Sequence, residues 1–138
     1  MNYCENIQKS LDYIEQHLKD PIDINDVIGL SGFSTTHFYR IFQAIIRESV
    51  KDYIRKRRLS EAAIDIATSD RRVIDIAFDY CFNSQEVFTR AFAQLFGITP
   101  GRYRERTKQV VLYEKVNAYQ KVQLNLQQDH FIDPKIVF

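Results

Sequence analysis

The sequence predicts an all-α protein, two helix-turn-helix units joined by a long shared helix, and three observations carry that expectation. The 138 residues include only four Gly and three Pro, so chain-breaking punctuation is sparse. Apolar residues recur at spacings of three and four through the first hundred or so positions, the mark of helices buried along one face. A block of sequence also occurs twice, on either side of the stretch SVKDYIRKRRLSEAAIDIAT at residues 49–68. About seven helices are expected, followed by an irregular or extended C-terminal tail. At 45% hydrophobic the chain can bury a core.

The repeated stretch has a rod at its centre. Residues 49–68 contain no Gly or Pro, and at about 100° per residue their apolar positions divide in two. Val50, Tyr53, Ile54 and Ile64 fall on one side, and Leu59, Ala62, Ala63 and Ile66 on the roughly opposite side. A helix on a single core shows one stripe, so two opposed stripes predict a helix shared between two small cores.

Before the rod, Ile7, Leu11, Ile14 and Leu18 line one face of a first helix over 4–18, which Asp20-Pro21 ends. Asp23 stands as the N-cap of a short helix over 24–30, closed by Ser31-Gly32-Phe33. Ser34 caps the next, over 35–46, with Phe38, Ile41, Phe42 and Ile45 inward. Short helix, turn with Gly, longer helix is the helix-turn-helix pattern. After the rod, Ser69-Asp70-Arg71-Arg72 breaks the periodicity, and Val73, Ile76, Ala77 and Tyr80 resume it. Ser84 then caps a helix over 85–96 with Phe88, Ala91, Phe92 and Leu95 inward.

The second motif overlays the first at an offset of 49 before the turn (Asp26 on Asp75, Val27 on Ile76, Phe33 on Phe82) and of 50 after it (Ser34 on Ser84, Phe38 on Phe88, Arg40 on Arg90, Phe42 on Phe92, Tyr53 on Tyr103). One residue, Asn83, is inserted in the second turn. Gly97 to Pro100 stops the helix, and Pro in a first turn starts a last short helix over 100–106. The domain reading is therefore a unit over 1–106, with motifs at 22–47 and 73–97 and the linker helix at 49–68. Residues 107–138 are read as a linker and the start of a further domain. Helix fits between Val110 and Tyr119, Val122, Leu124 and Leu126 alternate, and the apolar end IDPKIVF lacks a closing signal.

Composition excludes several classes. The three histidines, His17, His37 and His130, share no metal-ligand or nucleophile spacing, and there is no Gly-rich phosphate loop. The chain reads as a non-enzyme without metal or cofactor. Cys4 and Cys81 are too few and too distant for a disulfide framework, which fits reduced thiols in the cytoplasm. No apolar run approaches the roughly 18 residues of a membrane span, so no membrane partner is expected. The net charge of +1 hides an uneven distribution. Residues 1–39 carry two basic against six acidic side chains, residues 40–108 fourteen against nine, and the rest three of each. The basic excess surrounds the rod and points to a polyanion partner.

Residues 5–106 resemble the DNA-binding domain of the AraC/XylS family of bacterial transcription regulators. The specific match is the second copy, with Ile76-Ala77, Phe82, Ser84, Phe88, Arg90, Phe92, Gly97, Thr99-Pro100 and Tyr103-Arg104. The first copy agrees more loosely through Ser34, Arg40, Phe42, Tyr53 and Arg58-Leu59. Two positions depart: Cys81 stands in the turn where the family has Gly, and Arg47 stands where a helix-terminating Gly is expected. The end, FIDPKIVF, resembles the opening strand of the effector-binding domain that some members carry. An effector ligand is expected only through such a domain.

The resemblance implies a DNA-binding regulator with double-stranded DNA as partner. It makes the helices over 35–46 and 85–96 recognition helices. Their exposed candidates for the groove are Thr35, Thr36, Tyr39 and Arg40 in the first, and Gln85, Glu86, Thr89 and Arg90 in the second. Arg pairs with guanine, Gln with adenine, Glu with the cytosine amino group, and Thr presents a methyl or hydroxyl. Arg40 and Arg90 have a second reading as internal ion-pair partners. The alternative class is a helical module that keeps the fold but binds a protein such as RNA polymerase. Cys81 is expected in a Gly-like turn conformation, and residues 107–138 are expected to add little to DNA binding.

Overall fold

The computed structural model describes residues 2–106 and 109–128, and all regular structure among them is helical. The first half holds α1 (Tyr3–Gln16), α2 (Ile24–Ser31) and α3 (Thr35–Ile46). The rod is α4 (Val50–Thr68), and the second half holds α5 (Val73–Asp79), α6 (Gln85–Phe96) and α7 (Pro100–Arg106). An eighth helix, α8 (Ala118–Gln128), follows. The expected caps form: Asp23 accepts from Asn25 N–H, Ser34 from His37 N–H, and Ser84 from Val87 N–H. Ser49 does the same for the rod, accepting from Asp52 N–H. Each such side chain satisfies one of the backbone donors that a helix start leaves open.

The rod carries two faces as expected, with one correction. Val50 and Tyr53 are buried and Ile54 half-buried toward the first half, while Leu59, Ala62, Ala63 and Ile66 are buried at the other end. Ile64, read as part of the first stripe, is 43% exposed. It lies about 15 Å along the helix from Ile54 at 1.5 Å per residue, beyond the reach of the first half. Between them that same face turns ionic: Arg57 is buried, and Glu61 pairs with it at 3.6 Å.

The two halves repeat the same aromatic geometry. Phe38 and Phe42 have ring centroids 5.6 Å apart, and Phe88 and Phe92 5.7 Å. Phe42 meets Tyr53 at 6.0 Å, and Phe92 meets Tyr103 at 5.8 Å. These tilted and edge contacts join the second helix of each motif to the helix that follows it. Among the described residues four have left-handed backbone: Gly32 (φ 74°), Arg47 (φ 68°), Cys81 (φ 67°) and Gly97 (φ 74°). Cys81 thus holds the Gly-like turn expected of it. Arg47 takes the same conformation at the end of α3 that Gly97 takes at the end of α6.

The tail departs from expectation. Residues 109–117 have no helix or strand, and the helix expected between Val110 and Tyr119 begins only at Ala118. Asn117 accepts from Gln120 N–H and serves as its N-cap. The alternation of Val122, Leu124 and Leu126 is not that of a strand. Within α8, Ala118, Val122 and Asn125 face inward at helical spacing while Leu124 and Leu126 are each 50% exposed. True alternation occurs at Val110 and Leu112, half-buried between exposed neighbours. The segment packs on the first half, with α8 against α1 and α3. The apolar end at 132–138 and His130 lie outside the described residues.

Candidate nucleic-acid interface

The caps and apolar faces of α3 and α6 decide which side chains remain outside. With Phe38, Phe42, Ile45 and Ile46 buried, Thr35, Thr36, Tyr39 and Arg40 are exposed on α3. With Phe88, Ala91, Phe92 and Phe96 buried, Gln85, Glu86 and Arg90 are exposed on α6 and Thr89 is half-buried beside them. Gln85, Glu86, Thr89 and Arg90 line one groove with Asn83 and Ser84. Among the described residues no ion pair ties Arg40 or Arg90 to a carboxylate, so both guanidinium groups face solvent.

Much of the basic excess around the rod is engaged within the fold, which the linear count could not reveal. Arg57 is clamped by Glu15, with Nε 3.1 Å from Oε2 and Nη2 bonded to Oε1, and Nη1 donates to the Tyr113 carbonyl. Burial alone would push this guanidinium down, but the bonds and charge of Glu15, with Glu61, hold it above its usual value. Lys56 pairs with Glu48 at 2.7 Å, Arg71 with Asp79, and Arg72 with Asp75. Arg58 donates to the carbonyls of Leu18 (2.9 Å) and Asp20 (2.7 Å), and burial pushes its guanidinium down. Arg104 makes the same fork in the second half, to Ile66 O (2.9 Å) and Arg71 O (2.7 Å). Arg58 thus ties down the chain just past α1, and Arg104 the last turn of α4 together with the chain just past it.

A second set of contacts sets the halves against each other, and sequence periodicity carried no signal for it. Tyr80, at the end of α5, donates its hydroxyl to Asp65 of the rod at 2.9 Å. Lys19, just past α1, lies 5.4 Å from the Tyr80 ring centroid. Burial, then the bond and charge of Asp65, raise the Tyr80 phenol, so it remains a donor. Arg55 of the rod reaches Gln94 of α6 at 3.4 Å. A cleft of about 500 Å³ remains between the motifs, with Tyr39 and Ile54 on one side and Phe82 and Cys81 on the other.

His17 sits 3.1 Å from Asp20 and close to the Tyr13 ring, and His37 packs on Tyr3 and Phe33. Among the described residues no cluster could hold a metal ion, and no helix is long and apolar enough to cross a membrane.

Two helix-turn-helix motifs on one rod, each presenting the polar face of its second helix, define a double helix-turn-helix DNA-binding class. A family model described as a helix-turn-helix domain matches residues 29–106. The regulatory protein SoxS of Escherichia coli is 37% identical over 106 residues, covering 77% of this chain and 99% of SoxS. The uncharacterised transcriptional regulator YbfP of Bacillus subtilis is 46% identical over 104 residues, covering 75% of this chain and 35% of YbfP. The chain thus spans nearly all of one relative and about a third of the other. An AraC-type DNA-binding-domain regulator from Chromobacterium violaceum shares the fold at TM-score 0.71 and 20% identity, covering 76% and 94% of the two chains. The DNA-binding domain of AdpA, solved with a target DNA, does so at TM-score 0.68 and 20% identity, covering 75% and 98%. The chain belongs to the AraC/XylS family of bacterial helix-turn-helix transcription regulators, a non-enzymatic family.

Proposed function

We propose that this protein regulates transcription by placing α3 and α6 in successive major grooves of one duplex. The observation that carries this reading is the repeat itself. Two polar helix faces, one at each end of a shared rod, are supported by matching aromatic pairs. Successive major grooves on one face of B-DNA recur at about 34 Å, and a 19-residue rod is about 28 Å long. Thr35, Thr36, Tyr39 and Arg40 would read one half-site and Gln85, Glu86, Thr89 and Arg90 the other, on an asymmetric site of about two helical turns. The domain relatives and the domain solved with target DNA support DNA as the partner. A cytoplasmic location follows from that partner. RNA polymerase is a second partner of this reading, and a polymerase-binding module that does not read DNA is its rival. Phosphate contacts separate the two, since they make affinity fall steeply with salt.

Footprinting on a site selected from random duplexes tests the proposal. Arg90→Ala or Gln85→Ala should relax preference in one half-site only, by about 1 to 3 kcal/mol for a base-edge contact. Changes at Thr36, Tyr39 or Arg40 should act on the other half. Protection confined to one turn of DNA, indifferent to the α3 substitutions, would sink the two-groove reading.

A further inference from the structure

We infer that residues 109–128 are a positioning strap for the first reading helix, and that the folded reading unit extends to the end of α8. The family match stops at residue 106, yet the strap is tied to the rod and to the first half from Tyr113 to Asn125. Tyr113 N–H donates to Ser60 Oγ at 2.9 Å, Val116 N–H to Tyr53 Oη at 3.1 Å, and Ala118 N–H to Gln8 Oε1 at 2.8 Å. Lys115 pairs with Asp12 at 2.7 Å, and Ala118 is fully buried. Two backbone donors of the irregular segment and the first donor of α8 thus find side-chain acceptors on α4 and α1, which an unattached linker would leave to water.

The strap ends on α3. Asn125, 4% exposed, donates from Nδ2 to the Ile45 carbonyl at 2.9 Å. Ile45 lies in the last turn of α3, where carbonyls have no partner within the helix. Val122 faces Ile41, Ala44 and Ile45 across a shared apolar hollow. Here, too, the backbone carries strain, because α3 stops on Arg47 in left-handed backbone while α6 stops on Gly97. A Cβ in that conformation costs free energy that Gly avoids. The strap grips the end of the helix whose own stop is strained. Its hold on α3 carries through to Thr35, Thr36, Tyr39 and Arg40 at the other end of the same twelve-residue helix. Α6 receives no contact of this kind from the strap among the described residues. Loss of the strap should therefore blunt reading by the first motif and spare the second.

This inference rests on the two-groove reading, and the test separates their failures. The chain carrying Ala118→Glu, which forces a carboxylate into a fully buried site, or Asn125→Leu, which keeps the branched outline but drops the bond to α3, is compared with the unaltered chain. A site selected from random duplexes is used intact, scrambled in the first half, or scrambled in the second, well below each melting temperature. Amide exchange of α3 and α6 is followed without DNA. Ala118→Glu should lose first-half discrimination about tenfold and protection in the last turn of α3, with second-half discrimination changed less than about twofold. A role in bulk stability alone would leave both discriminations intact while the protein stays folded. Asn125→Leu should act in the same direction more weakly. Undiminished first-half discrimination in a folded variant whose α8 amides have lost protection overturns the inference. If Ala118→Glu does not fold, Asn125→Leu decides on the same criterion. If the unaltered chain protects only one turn of DNA, the two-groove reading fails and exchange decides the strap: unchanged α3 protection in the variants overturns it.

Discussion

The two halves share a plan and differ in where each departs from it. Both use a Ser cap on the motif's second helix, the same Phe and Tyr stack beneath it, and an arginine fork on the chain that leads into the motif. The motif needs left-handed backbone twice, once in its turn and once at the helix stop. The first half supplies Gly at the turn (Gly32) and Arg at the stop (Arg47). The second supplies Cys at the turn (Cys81) and Gly at the stop (Gly97). Each half therefore holds one relaxed and one strained position, crossed between them, and among the described residues the strap packs only at the strained end of the first. Backbone geometry is thus held more tightly than residue type when the surrounding packing determines it.

That asymmetry can be broken first at Arg57, which joins rod, α1 and strap. Arg57→Ala leaves Glu15 without its fork and frees the Tyr113 carbonyl. It should cost about 3 kcal/mol in denaturant melts, with exchange loosened in α1 and the strap before α6. Uniform loosening of both halves would mean that the ion pair serves the whole domain.

Next come the relaxed positions. A Cβ added at Gly32 or Gly97 meets no atom within 4 Å, so the cost of Ala there comes from backbone alone, about 1 to 2 kcal/mol at each. Equal losses in the two halves would sharpen the equivalence, and a loss at one site only would show that one turn can relax. The strained turn should respond with the opposite sign. Cys81→Gly should be neutral or stabilising by up to about 1 kcal/mol. A larger loss in the same melt would show that the half-buried thiol contributes packing that outweighs the strain.

The smallest effect concerns acid. Asp12 is held below the usual carboxylate range, first by its hydrogen bond to Lys115. A carboxylate with a lowered folded value stabilises fully above its unfolded value, about 3.9, and that contribution is lost as pH falls through the lower folded value. Exchange in the strap should therefore rise as pH is taken below about 4, and Asp12→Asn should remove that pH dependence. An unchanged profile in Asp12→Asn would assign the acid response to other carboxylates.

Sequence by itself determined helices α1 to α7, the caps of α2, α3 and α6, the repeat and the outward residues of α3 and α6, because these are local. A Ser before an apolar run at helical spacing decides where a helix starts and which face it buries, whatever packs on it. The left-handed turn at Cys81 was legible through the family resemblance, which places Gly at that turn position. Only the tertiary structure decided what the charges do. Arg55, Lys56, Arg57 and Arg58 are adjacent in sequence but point around the rod at about 100° intervals. They therefore meet Gln94, Glu48, Glu15 and the carbonyls of Leu18 and Asp20, all but Glu48 distant in the chain. The strap was hidden for a related reason. Its anchors, Ser60, Tyr53, Gln8 and Ile45, lie 53 to 110 residues from their partners, and no local periodicity records an acceptor that only folding brings within reach.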